Sequence, residues 1–306
     1  MATYVAAKKG AATAGELSSG RAYVIGLHLD HFVNWLGGDT SIVDISGKSL
    51  TDYRLELLQQ VEAKSWSRVT AKERLRTVKG FVHWLWQMEA IPTLPRILDG
   101  KSKALEIGTP SGTIVVFTLD EISTLLKEAS DRTKLYVLLM LTCGMTQKDV
   151  ADLLLKEVDW NPGYIKRKRS KTKEWNNVPE VRYVLWPETL RLLKQERSGK
   201  TTGLVLLNEN GKPLWYEEVQ PDGKLKKNDN IRNAFSRLSK KLKINKPLKS
   251  LKKTSASLIR GNSKYASLES RCSSATLPNR WPTSITPSLR RSCWTKRSCG
   301  WEASMA

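Results

Sequence analysis

The sequence predicts a mainly α-helical protein of two domains, with one small β-hairpin in the second. Three observations predict it. Apolar residues recur at helical spacing through residues 21–92 and again after residue 118. Between them, Pro92 to Phe117 holds three prolines and three glycines and has no period. Two short segments, GYIKRKRSK and VPEVRYVLW, flank a polar turn and read as paired strands.

The elements follow in order. Residues 1–20, MATYVAAKKGAATAGELSSG, lack the continuous apolar stretch of a signal peptide and read as a flexible tail. RAYVIGLHLDHFVNWL, SLTDYRLELLQQVEA and SRVTAKERLRTVKGFVHWLWQMEAI then give three helices, so 21–92 forms a helical domain. In the third, Thr70 and Glu73 have capping-box spacing. Its Phe81, Trp84, Leu85 and Met88 share a face that reads as core. Residues 93–117 read as a linker, with regular structure resuming at IVVF.

A second capping box, Thr118 to Glu121, opens the next domain, 118–269. RTKLYVLLMLTC is apolar almost all round and belongs in a core. Gly144 marks a turn, and Thr146 with Asp149 forms a capping-box-like pair at the start of another helix. After the hairpin, Pro187 takes the favoured first position of PETLRLLKQER. LVLLNENGKPLW reads as strand and turn, and NIRNAFSRLSKKLK and SLKKTSASLIR as basic helices. From Ser270 to Ala306 neither period survives, and the mixture of Ser, Arg, Pro, Cys and Trp is foreign to ordinary disordered tails.

Charge narrows the function. Fifty-one Lys and Arg against thirty Asp and Glu give +21 in 306 residues, which favours a polyanionic partner. No apolar run approaches the length of a membrane span, and no basic amphipathic anchor is evident. Nucleic acid is therefore the expected partner, and the cytoplasm, with the nucleoid, the expected place. Neither a metal nor a cofactor is expected. His28, His31 and His83 are the only histidines and show no shared-ligand spacing. Cys143 reads as an inert core residue, while Cys272, Cys293 and Cys299 lack CxxC spacing.

Two stretches concentrate the charge. Tyr164 to Lys173 holds six Lys or Arg in ten residues, and Lys240 to Lys253 holds seven Lys in fourteen. Strand alternation puts Lys166 and Lys168 on one face and Arg167 and Arg169 on the other. Candidate DNA contacts are these four with Lys173, Lys240, Lys241 and Lys253, joined by Arg74 and Lys79 of the first domain.

The segments LYVLLMLTCGMTQKDVADLLLKEVDW, RSKT and KSLKKTSASLI, in that order after a helical first domain, resemble the tyrosine recombinase (phage integrase) family. The resemblance covers roughly residues 21–269. It implies an N-terminal core-binding (SAM-like) helical domain and an integrase-like α+β catalytic domain. It also implies metal-free DNA cleavage, in which a tyrosine attacks a backbone phosphate held by two arginines while a hairpin lysine protonates the leaving oxygen.

Mapped onto that pattern, Thr146 stands in the first arginine slot. Lys249 stands in the histidine slot and Lys252 in the second arginine slot. Lys171 matches the hairpin lysine and is retained. The nucleophilic tyrosine is absent: Tyr265 is the last tyrosine, and no histidine follows His83. Back-translation of SRCSSATLPNRWPTSIT with permitted codons, read one nucleotide earlier, can give SLFLGHAPQPVADKHYT. That string contains the Gly-His and the His-Tyr expected there, which points to a frameshift near Ser270. The expected protein is thus a binder of double-stranded DNA, of recombinase ancestry, that does not cut strands. The resemblance also implies homo-oligomers on DNA. An architectural or regulatory DNA binder and a basic RNA-binding protein are the alternatives.

Overall fold

The computed structural model describes residues 1–38, 40–99, 103–110, 112–170, 177–220 and 224–261. These fall into two compact units, one of Met1–Gly112 with Glu217–Lys226, the other of Thr113–Tyr216 with the chain from Lys227 on.

The first unit is helical: α1 (Ala2–Thr13), α2 (Ser19–Leu36), α3 (Gly47–Glu62) and α4 (Arg68–Gln87). Helix α1 corrects the expectation of a flexible tail over 1–20. Good helix formers build it, and one aromatic docks it: Tyr4 is buried, 5.4 Å from the Phe81 ring and 5.1 Å from Trp84. A single anchor leaves no apolar stripe in the sequence.

Helix α4 begins one turn earlier than its sequence suggests. Ser67 is the cap and accepts the Thr70 amide, while Glu73 pairs with Arg21 at 3.1 Å and Arg76 at 3.7 Å. Phe81 and Leu85 are buried as expected; Met88 lies just past the helix end and is 57% exposed. Part of the expected linker also packs inward, since Leu98, Leu105 and Ile107 belong to this unit's core. Ile114 and Val115 form no strand and are exposed, and only Phe117 enters the second core.

The second unit surrounds one buried helix. Every residue from Leu135 to Leu141 of α6 (Asp131–Thr142) is buried. It packs against α5 (Leu119–Glu128), α7 (Gln147–Ala151), α8 (Pro187–Glu196), α9 (Asn230–Lys241) and α10 (Ser250–Gly261). A helix covered on all sides needs no polar face, which is why its sequence shows no period.

Strands β1 (Val158–Asp159), β2 (Tyr164–Arg167) and β3 (Val181–Val184) form an antiparallel sheet in that order. The pairing Ile165 with Tyr183 and Lys166 with Arg182 bears out the hairpin. LVLLNENGKPLW makes isolated bridges, Leu154 to Leu204 and Leu207 to Pro213, in place of a continuous strand. A second hairpin, β4 (Trp215–Val219) with β5 (Leu225–Asp229), escapes the sequence reading because charged residues obscure its alternation.

Helix α10 is fixed by its hydroxyls. Thr254 accepts the Phe117 amide at 2.9 Å and donates to the Ser250 carbonyl at 2.8 Å, and Ser255 donates to the Leu141 carbonyl. No described helix is long and apolar enough to cross a membrane.

Candidate nucleic-acid interface

The site grows from the turn after α6. Gly144 adopts φ +60°, a left-handed conformation that suits glycine. A Cβ there would lie 3.9 Å from Lys252 Cε, so the lysine stem of α10 runs against the turn. Thr146 then caps α7: its amide and hydroxyl both donate to the Asp149 carboxylate, at 2.9 and 2.7 Å, and its oxygen accepts the Asp149 amide.

Asp149 is the hub that the sequence reading missed. Its second carboxylate oxygen accepts the Ser170 amide at 2.9 Å, which ties the end of β2 to the start of α7. The capping pair was legible; the contact from a residue 21 positions away was not. Burial pushes the Asp149 carboxyl upward, but the Thr146 and Ser170 donors and the Arg167 charge outweigh it and hold it below its ordinary range.

Arg167 corrects the alternation argument. It does alternate with exposed Lys166, but its face is the inner one, and only 5% of it is exposed. It donates to the Asp149 carbonyl, to Ser170 Oγ at 2.9 Å and to the Lys168 carbonyl at 3.2 Å, and lies 3.7 Å from Glu157. It braces the hairpin and is not available to a phosphate. Arg169 lies beyond the strand end, where alternation stops, and is exposed.

Other expected contacts are also engaged. Lys166 pairs with Glu180 at 3.0 Å and Lys241 with Glu128 at 2.9 Å. Arg74 is half-buried over the Trp66 ring at 4.1 Å, with Nε and Nη1 out of solvent, so it does not present a DNA-facing guanidinium. Among the described residues, Lys79, Lys168, Arg169, Lys240, Lys249, Lys252 and Lys253 have no carboxylate partner. Lys171 and Lys173 lie outside the described residues, as do Tyr265 and the chain after it.

Charge therefore collects at one place. Lys252 is half-buried, and burial and then Arg169 push its ammonium pKa below the ordinary lysine range, with Asp149 acting against them. Lys249 and Lys253 flank it, exposed, at the start of α10, whose first turn carries no acid. Cys143, before the turn, is buried, and its thiol is pushed up to about 12 by burial. Tyr183 of β3 is buried too and pushed up to about 12 by burial, then by Cys143 and Asp149.

Similar architecture occurs in known proteins. A lambda integrase dimer bound to a COC′ core site matches with a TM-score of 0.60 at 14% identity, over 92% of this chain and 96% of that one. The fold is that of the integrases. A lambda integrase tetramer bound to a Holliday junction also gives 0.60, at 13% identity, covering 93% of this chain and 78% of its own. The Tn1549 transposon integrase in complex with a circular intermediate DNA gives 0.55 at 14% identity, over 83% and 85% of the two chains. No family model matches the integrase-like chain, and no curated protein matches it by sequence. In this integrase fold, the slots that the sequence resemblance assigned to Thr146 and Lys252 lie at one turn.

Proposed function

We propose that the chain is a tyrosine recombinase relative that binds double-stranded DNA at the Gly144 turn and α10 without cutting it. One observation carries the reading: on an integrase fold, Arg169, Lys249, Lys252 and Lys253 have no carboxylate partner among the described residues, and Lys252 runs against that turn. Phosphate contact is the simplest role for such cations, because it releases counterions condensed on the duplex.

Several features support the absence of strand cleavage. Thr146, in the first arginine slot, has its hydroxyl committed to Asp149. Lysine in the second slot keeps charge but lacks the planar fork that grips two phosphate oxygens. Tyr183 is buried and hard to ionise, a poor nucleophile. Residues after Ser270 fit a frameshift that removed the nucleophile, a reading that the nucleotide sequence of codons 260–306 decides. Homo-oligomers on DNA and a place with the nucleoid belong to the same proposal.

The test is fluorescence anisotropy with a 30-base-pair duplex across salt, competed with structured RNA, beside a suicide-substrate assay. Steeply salt-dependent duplex binding with no covalent adduct is the expected outcome. An adduct at any tyrosine sinks the non-cutting half of the proposal; preference for RNA sinks the DNA half.

A further inference from the structure

The first arginine slot holds no guanidinium, yet Arg169 follows in a segment tied to the same turn, and its charge acts on Lys252. Arg169 lies two residues past the end of β2, and its neighbour Ser170 is pinned by its amide to Asp149, the residue paired with Thr146 in the capping box. Arg167, two residues earlier, is locked to the Asp149 carbonyl. The backbone on either side of Arg169 is thus fixed to the first turn of α7, and Arg169 itself is exposed and has no carboxylate partner among the described residues. Lys252 reaches the same turn from α10, its Cε against Gly144.

Two cations on separate elements, each without an acid of its own, repel one another unless an anion joins them. Asp149 offsets only part of this repulsion: its charge favours the Lys252 ammonium, but its oxygens accept the Thr146 amide and hydroxyl and the Ser170 amide and bond neither cation. We propose that Arg169 and Lys252 hold one DNA phosphate between them, Arg169 supplying from the hairpin the guanidinium that the Gly144 turn lacks. This rests on the site being a duplex-binding site. Arg169 acts as a ligand for the phosphate; no bond is made or broken.

Geometry gives the two residues distinct parts. The Arg169 fork can donate to two non-bridging oxygens in its plane, and the Lys252 ammonium, partly desolvated, supplies a point charge from the other side. Burial and then the Arg169 charge disfavour the Lys252 ammonium, and an arriving phosphate opposes both.

A double-mutant cycle in the full chain tests the pairing, with anisotropy of a 30-base-pair duplex as the readout. Arg169→Ala and Lys252→Met are each expected to weaken binding roughly 10-fold. The double variant should fall well short of roughly 100-fold, since a phosphate that has lost one partner is already poorly held. Each single change should also lower the salt slope by about 0.9. Arg169→Lys should sit between wild type and Arg169→Ala. Losses that multiply independently overturn the shared phosphate. So does an Arg169→Ala loss no larger than that of Lys200→Ala, a control on the loop after α8. A wild-type chain that does not bind duplex overturns the underlying reading as well, before any variant is made.

Discussion

Tyr164–Lys173 and Lys240–Lys253 look equivalent as strings of basic residues, but the fold uses their charges differently. In the hairpin, the inward arginine is a brace: Arg167 links β2 to Asp149 and Glu157, and two residues later Arg169 has no carboxylate partner among the described residues. In the second stretch, Lys241 and Lys246 tie to Glu128 and Glu121 of α5, while Lys249, Lys252 and Lys253 at the start of α10 have no carboxylate partner among the described residues. Counting positive residues therefore overstates the surface offered to a polyanion. What decides is whether a carboxylate or a carbonyl already holds the cation.

The largest effect tests the brace. Arg167→Met removes a buried cation, leaving Glu157 without its ion-pair partner and the Asp149 carbonyl without its donor. Breaking such a buried pair costs on the order of 3–5 kcal/mol, read as a lower urea midpoint. Arg169→Ala should leave that midpoint within about 0.5 kcal/mol, the range of surface changes. Equal destabilisation by both variants would erase the distinction between brace and free cation.

How much of this was legible follows from range. The capping pairs Thr118–Glu121 and Thr146–Asp149 were read correctly because both partners lie within one turn. The apolar run Leu135–Leu141 of α6 and the β2–β3 hairpin were legible from composition and alternation. The role of Arg167 was not, since alternation tells which residues share a face but not which face is inner. Nor was α1, whose one buried residue is Tyr4, or Ser67, a better-placed cap than Thr70 for the same helix. Asp149 as a hub needed Ser170, which only the fold brings to it.

The first unit has its own inward cation, and it gives the next effect in size. Arg74 lies over Trp66, and burial, followed by Arg74 and Arg21, lowers the His28 pKa to about 4. His28 is buried and bonded to Thr77 Oγ1 at 2.9 Å. As pH falls below 6.5, the unfolded chain takes up this proton first and the folded chain resists until about 4. Stability present above pH 6.5 is thus lost between 6.5 and 4, by about 3 kcal/mol for this depression. Denaturant melts at pH 7 and pH 4.5 measure the loss, and His28→Gln should flatten it. An unchanged profile in that variant would place the pH sensitivity on other groups.

The smallest effect concerns the outer face of the hairpin. Lys166 and Glu180 form an exposed pair at 3.0 Å, worth less than about 1 kcal/mol to the fold. Glu180→Ala should therefore hardly move the melting temperature. It should still release Lys166 and remove a negative charge just before β3. If the outer face of β2 meets DNA, duplex affinity should rise about 2- to 5-fold, with a salt slope steeper by up to about 0.9. Lys166→Ala should then cost little in the wild-type background and abolish the gain in the Glu180→Ala background. No gain in Glu180→Ala would confine the hairpin's contribution to its distal end, where Arg169 stands, and leave Lys166 a solvated partner of its own carboxylate.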